Sequence, residues 1–175
     1  MVLGDSITQG YDALYPSNKY VTRFAEYLNA EEYNKAIGGE IMFPELAAAK
    51  VGFEPDYITV AYGTNDWSKT DSETFEKNGR AFFENLCANY PNSKIYVITP
   101  IWRKKYLDEK PFGDFKKASE ILHRVTEGQK NITVIEGFDL VEHDSDYFAD
   151  LVLHPNDKGF EQYFEGLKNA IQPKE

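Results

Sequence analysis

The stretch 56–67, DYITVAYGTNDW, carries the pattern on which the fold turns. From Tyr57 to Tyr62 it is β-branched, aromatic or small, with no charge, as in a strand buried on both faces. At Gly63 the apolar run stops and small polar residues follow. Strands buried on both faces belong to parallel sheets covered by helices.

Working outward, the same alternation repeats. Strands are expected at MVL (1–3), YNKAI (33–37), KIYVITP (94–100) and NITVIEG (131–137). Helical spacing places Tyr20, Phe24, Tyr27 and Leu28 on one face of 19–28. PELAAAK (44–50) starts with Pro44, which suits a first helical position. Phe75, Gly79, Phe82 and Leu86 form a stripe over 72–90; Phe115, Ala118, Leu122 and Val125 form one over 112–127. Phe160, Phe164, Leu167 and Ile171 do so over 156–171. The expectation is an α/β fold with a mostly parallel sheet and helices on both faces, built as one domain over 1–175.

The bulk numbers narrow the function. With 175 residues the chain can bury a sizeable core. A formal charge of -10 argues against a sequence-independent grip on nucleic acid. No apolar run is long enough for a bilayer span, so no membrane insertion is expected. Cys87, the single cysteine, excludes an internal disulfide and reads as a packing thiol in a helix. No Cys/His cluster has zinc spacing, so neither metal nor cofactor is expected. No signal-peptide pattern is visible. On this chain alone that points to the cytoplasm, although a leader or module removed upstream would leave no trace. Oligomeric state is not legible.

Four short blocks lie just after expected strands or just before the last helix. They are GDSITQG (4–10), AIGGE (36–40), YGTNDW (62–67) and LHPNDKG (153–159). In a parallel sheet these positions converge on the edge where the strands' carboxyl ends lie. A serine there needs a base to become a nucleophile. His154 is the histidine placed for that; His123 falls in a helical stripe and His143 in the acidic stretch EHDSD.

The blocks GDSIT (4–8), NKAIGG (34–39), GTND (63–66) and HPND (154–157) resemble the SGNH (GDSL) hydrolase superfamily, in its order and over nearly the whole chain. The resemblance implies a three-layer α/β/α sandwich, flavodoxin-like. It also implies a serine ester hydrolase with Ser6 as nucleophile and His154 as base. The implied oxyanion hole uses the N–H groups of Ser6 and Gly39 and the Asn65 side chain; counting from Asn34, the glycine falls on Gly39 rather than Gly38. The pattern departs in one place. The family's last block is Asp-x-x-His, whereas here Asp150 stands four residues before His154. Asp150 is expected to orient the imidazole, with Asp144, Asp146 or the Leu151 carbonyl as alternatives. Asp5 and Asp66 read as turn-shaping residues.

Substrate is less legible. Trp67, Trp102 and Tyr106 are expected in loops rimming the site, with Tyr11 and Tyr15 after the nucleophile block. Aromatics beside a polar cleft suit sugar faces and equally apolar acyl groups. Arg103, Lys104 and Lys105 form a basic run in a crevice loop. The leading expectation is hydrolysis of short acyl esters, acetyl above all, on small-molecule or oligosaccharide esters, with O-acetylated carbohydrate favoured. The alternative is a short-chain carboxylesterase, thioesterase or lysophospholipase acting on non-sugar esters. An inactive carbohydrate-binding module ranks third.

Overall fold

In a computed structural model, residues 1–171 are described. In chain order the elements are β1 (Val2–Gly4), α1 (Ser6–Gln9), α2 (Tyr20–Tyr27), α3 (Pro44–Ala48), β2 (Tyr57–Ala61), α4 (Thr64–Lys69) and α5 (Ser72–Asn89). They continue with β3 (Lys94–Ile98), α6 (Lys117–Thr126), β4 (Ile132–Ile135) and α7 (Asp157–Ile171). The four strands pair in parallel in the order β1-β2-β3-β4, with Leu3 opposite Val60, Ile58 opposite Ile95 and Val97 opposite Val134.

Helices cover both faces. On one, Phe75, Phe82, Phe83 and Leu86 of α5 pack with α3 and α6 over the sheet. On the other, Tyr20 and Phe24 of α2 meet Phe160, Tyr163 and Leu167 of α7; Tyr20 stacks on Tyr163 at 4.0 Å between ring centres. This is the expected three-layer arrangement. Among the described residues, no helix is long and apolar enough to cross a membrane. Cys87 is half-buried, and burial raises its thiol pKa.

Three elements differ from expectation. The stretch 33–37 does run parallel to β1, with Val2 N–H donating to Tyr33 O and Lys35 N–H to Val2 O, but only a single bridge forms, at Asn34. The Asn34 side chain draws the strand off course: Oδ1 accepts from Ala36 N–H, and Nδ2 donates to Thr8 O. Helix α6 starts at Lys117 instead of 112, because Gly113 sits at φ +91° and Asp114 Oδ1 closes a turn on Lys116 N–H. Lastly, GTND is not a loop: α4 begins at Thr64, with Asp66 accepting from Gly63 N–H at 3.0 Å.

Gly4 explains how the chain turns so sharply after β1. A Cβ there would lie 2.3 Å from Thr8 Oγ1 and 2.9 Å from Ala61 O. Only glycine lets α1 fold back against the strand ends.

Candidate active site

All four blocks reach the carboxyl edge of the sheet. Asp5 caps α1 by accepting from Ile7 N–H at 2.9 Å, which leaves Ser6 as the first helical residue. N–H groups of a first turn have no partner within their helix, so the Ser6 N–H is available to a ligand. Ser6 Oγ lies 2.9 Å from His154 Nε2, across 148 residues of chain.

The imidazole is held from its other side. His154 Nδ1 is 2.8 Å from Asp150 Oδ2. Asp150 Oδ1 accepts three successive backbone N–H groups, from Val152 (2.9 Å), Leu153 (2.7 Å) and His154 (3.1 Å). Partial burial alone would raise this carboxyl's pKa. The N–H groups of Leu153, Val152 and His154, together with the imidazole, outweigh that and hold it below the ordinary range. The extra residue is absorbed at Leu151, whose φ of +60° tightens the turn so that the carboxylate still reaches the ring. Asp144 is occupied elsewhere, capping the turn 145–147 through Asp146 N–H, while the Asp146 backbone carbonyl accepts from Asn156 Nδ2.

Gly38 and Gly39 form a tight turn closed by Glu40 N–H donating to Ile37 O at 3.1 Å. Gly39 takes φ +77°, a conformation that favours glycine. Asn65 sits in the first turn of α4, facing this turn. Its Nδ2 donates to Glu40 O at 3.0 Å and, more loosely, to Asp5 Oδ2 at 3.3 Å. Lys69, one turn further along α4, donates from Nζ to Gly39 O. Sequence reading missed Lys69; its i+4 spacing from Asn65 was the available signal.

Two expected rim residues are not on the rim. Trp67 is 1% exposed, packs edge-on to Phe115 and donates from Nε1 to Gly113 O. Trp102 is 8% exposed, stacked on His143 and tilted against Phe148. Both are core side chains: α4 turns Trp67 inward onto Phe115 and Gly113, and the 143–148 segment closes over Trp102. Tyr106 is half-buried, edge-on to Phe138 and Phe115. Tyr11 does stand open, 4.9 Å from the His154 ring, and Tyr15 is also exposed. Arg103 leaves the basic run to donate to Thr64 and Ser68 of α4, and its guanidinium lies over the Trp67 ring.

Beneath the site lie two buried carboxyls. Burial pushes the Asp5 pKa up to about 7, against the Ile7 N–H and with the help of Asp66. Burial likewise lifts Asp66 to about 6, against N–H groups including those of Met42 and Gly63. The folded protein therefore binds the Asp5 proton more tightly than the unfolded chain does, whose Asp titrates near 3.8. The stability tied to this proton is fully present below that value and is lost as pH rises through about 7. Asp5→Asn keeps an acceptor for Ile7 N–H and removes the titration. Its unfolding free energy, and with it its melting temperature, should change less between pH 5 and pH 8 than that of the wild type, the free-energy difference being on the order of a few kcal/mol over the interval. Parallel curves in differential scanning calorimetry would show that Asp5 is not the group responsible.

A parallel sheet with a serine at the end of its first strand, hydrogen-bonded to a histidine just before its last helix, defines an α/β protein of the SGNH/GDSL hydrolase fold. The chain belongs to the GDSL-like lipase/acylhydrolase family, whose model matches residues 2–162. None of the curated proteins matches this sequence. Among solved structures, one described as a GDSL-like lipase from Bacteroides ovatus superposes with a TM-score of 0.82 at 23% identity, covering 97% of this chain and 51% of that one. A two-domain esterase active on acetylated mannans, co-crystallised with mannopentaose, superposes at 0.73 with 19% identity, covering 97% and 48%. A family two carbohydrate esterase from Clostridium thermocellum, in complex with cellohexaose, gives 0.71 with 18% identity, covering 97% and 62%. This chain thus spans about half to three-fifths of the length of these three proteins.

Proposed function

We propose that this protein is a serine ester hydrolase that removes short acyl groups, acetyl above all, with O-acetylated carbohydrate as the preferred substrate. The observation that carries the reading is the unbroken line from Ser6 Oγ to His154 Nε2 and from Nδ1 to Asp150, at 2.9 and 2.8 Å. Serine is a weak nucleophile until a neighbouring base takes its proton.

In the proposed sequence Ser6 Oγ bonds to the ester carbonyl carbon while its proton passes to His154 Nε2. Asp150 accepts the Nδ1–H, fixes the ring and stabilises the imidazolium. The carbonyl oxygen becomes an oxyanion, met by the N–H groups of Ser6 and Gly39 and by the Asn65 amide. The bond to the alcohol oxygen breaks, and His154 returns the proton to that alcohol. Water then attacks the acyl-serine through the same base. Acetate leaves and Ser6 is restored.

The carbohydrate preference rests on two supports. Tyr11 offers an exposed aromatic face 4.9 Å from the base, suited to stacking on a sugar ring. The neighbouring esterase is described as active on acetylated mannans. The test is a series of p-nitrophenyl esters run beside acetylated manno- and xylo-oligosaccharides. Turnover should be best for acetate and fall about tenfold or more by the butyrate ester, in line with the discrimination that one or two methylenes give. Acetate should be released from the oligosaccharides. Faster cleavage of longer chains, with no acetate from sugars, would move the assignment to a non-sugar esterase.

A further inference from the structure

A second carboxylate is directed at the imidazole. Asp12 Oδ2 lies 3.9 Å from His154 Nδ1, the nitrogen that Asp150 Oδ2 approaches to 2.8 Å. One oxygen of Asp12, one of Asp150 and a ring nitrogen of His154 all fall within 4.8 Å of one another. The two acids come from different parts of the fold: Asp150 from the turn before α7, and Asp12 from the loop that follows α1.

That loop is held in place. Gly10 at φ +90° and Asp12 at φ +69° reverse the chain over the end of α1. Leu14 N–H donates to Asp157 Oδ1 at 2.9 Å and Asn18 Nδ2 to Asp157 Oδ2 at 2.8 Å, which ties the loop to the first turn of α7. The Tyr11 ring lies against the imidazole. Asp12 is therefore positioned relative to His154 from two sides.

The charges around the imidazole give this placement a consequence. Ser6 faces Nε2; Asp150 and Asp12 face Nδ1; Tyr11 covers the ring, and the Arg103 cation acts on Asp150 from the loop after β3. Two carboxylates this close repel each other while the ring they both face is neutral. Once the Ser6 proton reaches Nε2 the ring is positive, and each carboxylate is attracted to it strongly enough to offset their mutual repulsion. An interaction that appears only as charge develops lowers the barrier rather than tightening substrate binding. Asp150 Oδ1, moreover, is committed to three backbone N–H groups, so only its Oδ2 serves the ring.

We propose that Asp12 is a positioning residue for the reaction: it shares stabilisation of the His154 imidazolium with Asp150 and accepts the Nδ1–H when Asp150 cannot. This rests on the hydrolase reading given above. The test is a double-mutant cycle on p-nitrophenyl acetate with Asp12→Asn, Asp150→Asn and the pair. Asparagine tolerates the left-handed backbone at position 12, so the loop should keep its shape. Asp12→Asn should lower kcat about threefold to tenfold with KM little changed. Asp150→Asn should cost well under the roughly 10⁴-fold that loss of the orienting acid costs in a triad without a substitute. In the Asp150→Asn background, removal of Asp12 should cost a further 100-fold or so, to reach that level. Asp12→Glu in the same background should keep activity within about tenfold of the single Asp150→Asn variant, because a carboxylate remains.

Equal factors in both backgrounds, a change in KM alone, or Asp12→Glu failing as badly as Asp12→Asn would reduce Asp12 to a loop-shaping residue. Ser6→Ala is run alongside. If it retains full turnover, the serine-nucleophile reading itself falls; if it is inert and the cycle is additive, only the role of Asp12 falls.

Discussion

Ser6→Ala should leave less than about one thousandth of wild-type kcat on p-nitrophenyl acetate, and the loss should approach about 10⁶-fold if the oxyanion donors add little alone. The substitution removes one oxygen from a side chain that is only 8% exposed, at the first position of a capped helix. Alanine is a good helix former, and Asp5 caps α1 through Ile7 N–H rather than through Ser6. Folding should therefore be intact, and far-ultraviolet circular dichroism and melting temperature should match the wild type. Near-normal turnover by a folded Ser6→Ala protein would mean that another group attacks the ester.

Asn65→Ala is the second large effect. Loss of one donor to a developing oxyanion costs about 100- to 1,000-fold in kcat. Here Nδ2 already touches two acceptors, Glu40 O at 3.0 Å and Asp5 Oδ2 at 3.3 Å. The longer contact is the one that can yield a hydrogen to substrate, while the shorter one keeps the amide facing the Gly38–Gly39 turn. On the proposed mechanism the fall should be in kcat with KM nearly constant, since the oxyanion would exist only on the way to the acyl-enzyme. A variant that loses only KM would place Asn65 in ground-state binding instead.

The sheet order and the meeting of Ser6, His154 and Asn65 were legible because each rests on a local rule. An apolar run ends, small polar residues follow, and a parallel sheet brings all such ends to one edge. The fate of Trp67 was not legible, since it depended on recognising α4 as a helix. With about 3.6 residues per turn, a residue two places after Asn65 lies on the far side of the helix. If Asn65 faces the site, Trp67 must face the core. Trp102 was hidden for a related reason: the surfaces that bury it, His143 and Phe148, come from more than forty residues further along the chain. Asp12 carried no signal at all, because its distance to His154 is set by contacts with Asp157 that spacing does not record.

The grip of three consecutive amides on Asp150 has a consequence for kinship. A carboxylate anchored by the main chain of its own turn stays put when that turn gains a residue, as long as one position can accept a left-handed backbone. Loop length between acid and base is then free to drift during divergence without loss of the contact. A text pattern that demands a fixed offset will pass over such branches, whereas one that asks for an acid followed by a turn able to coil its amides inward will retain them.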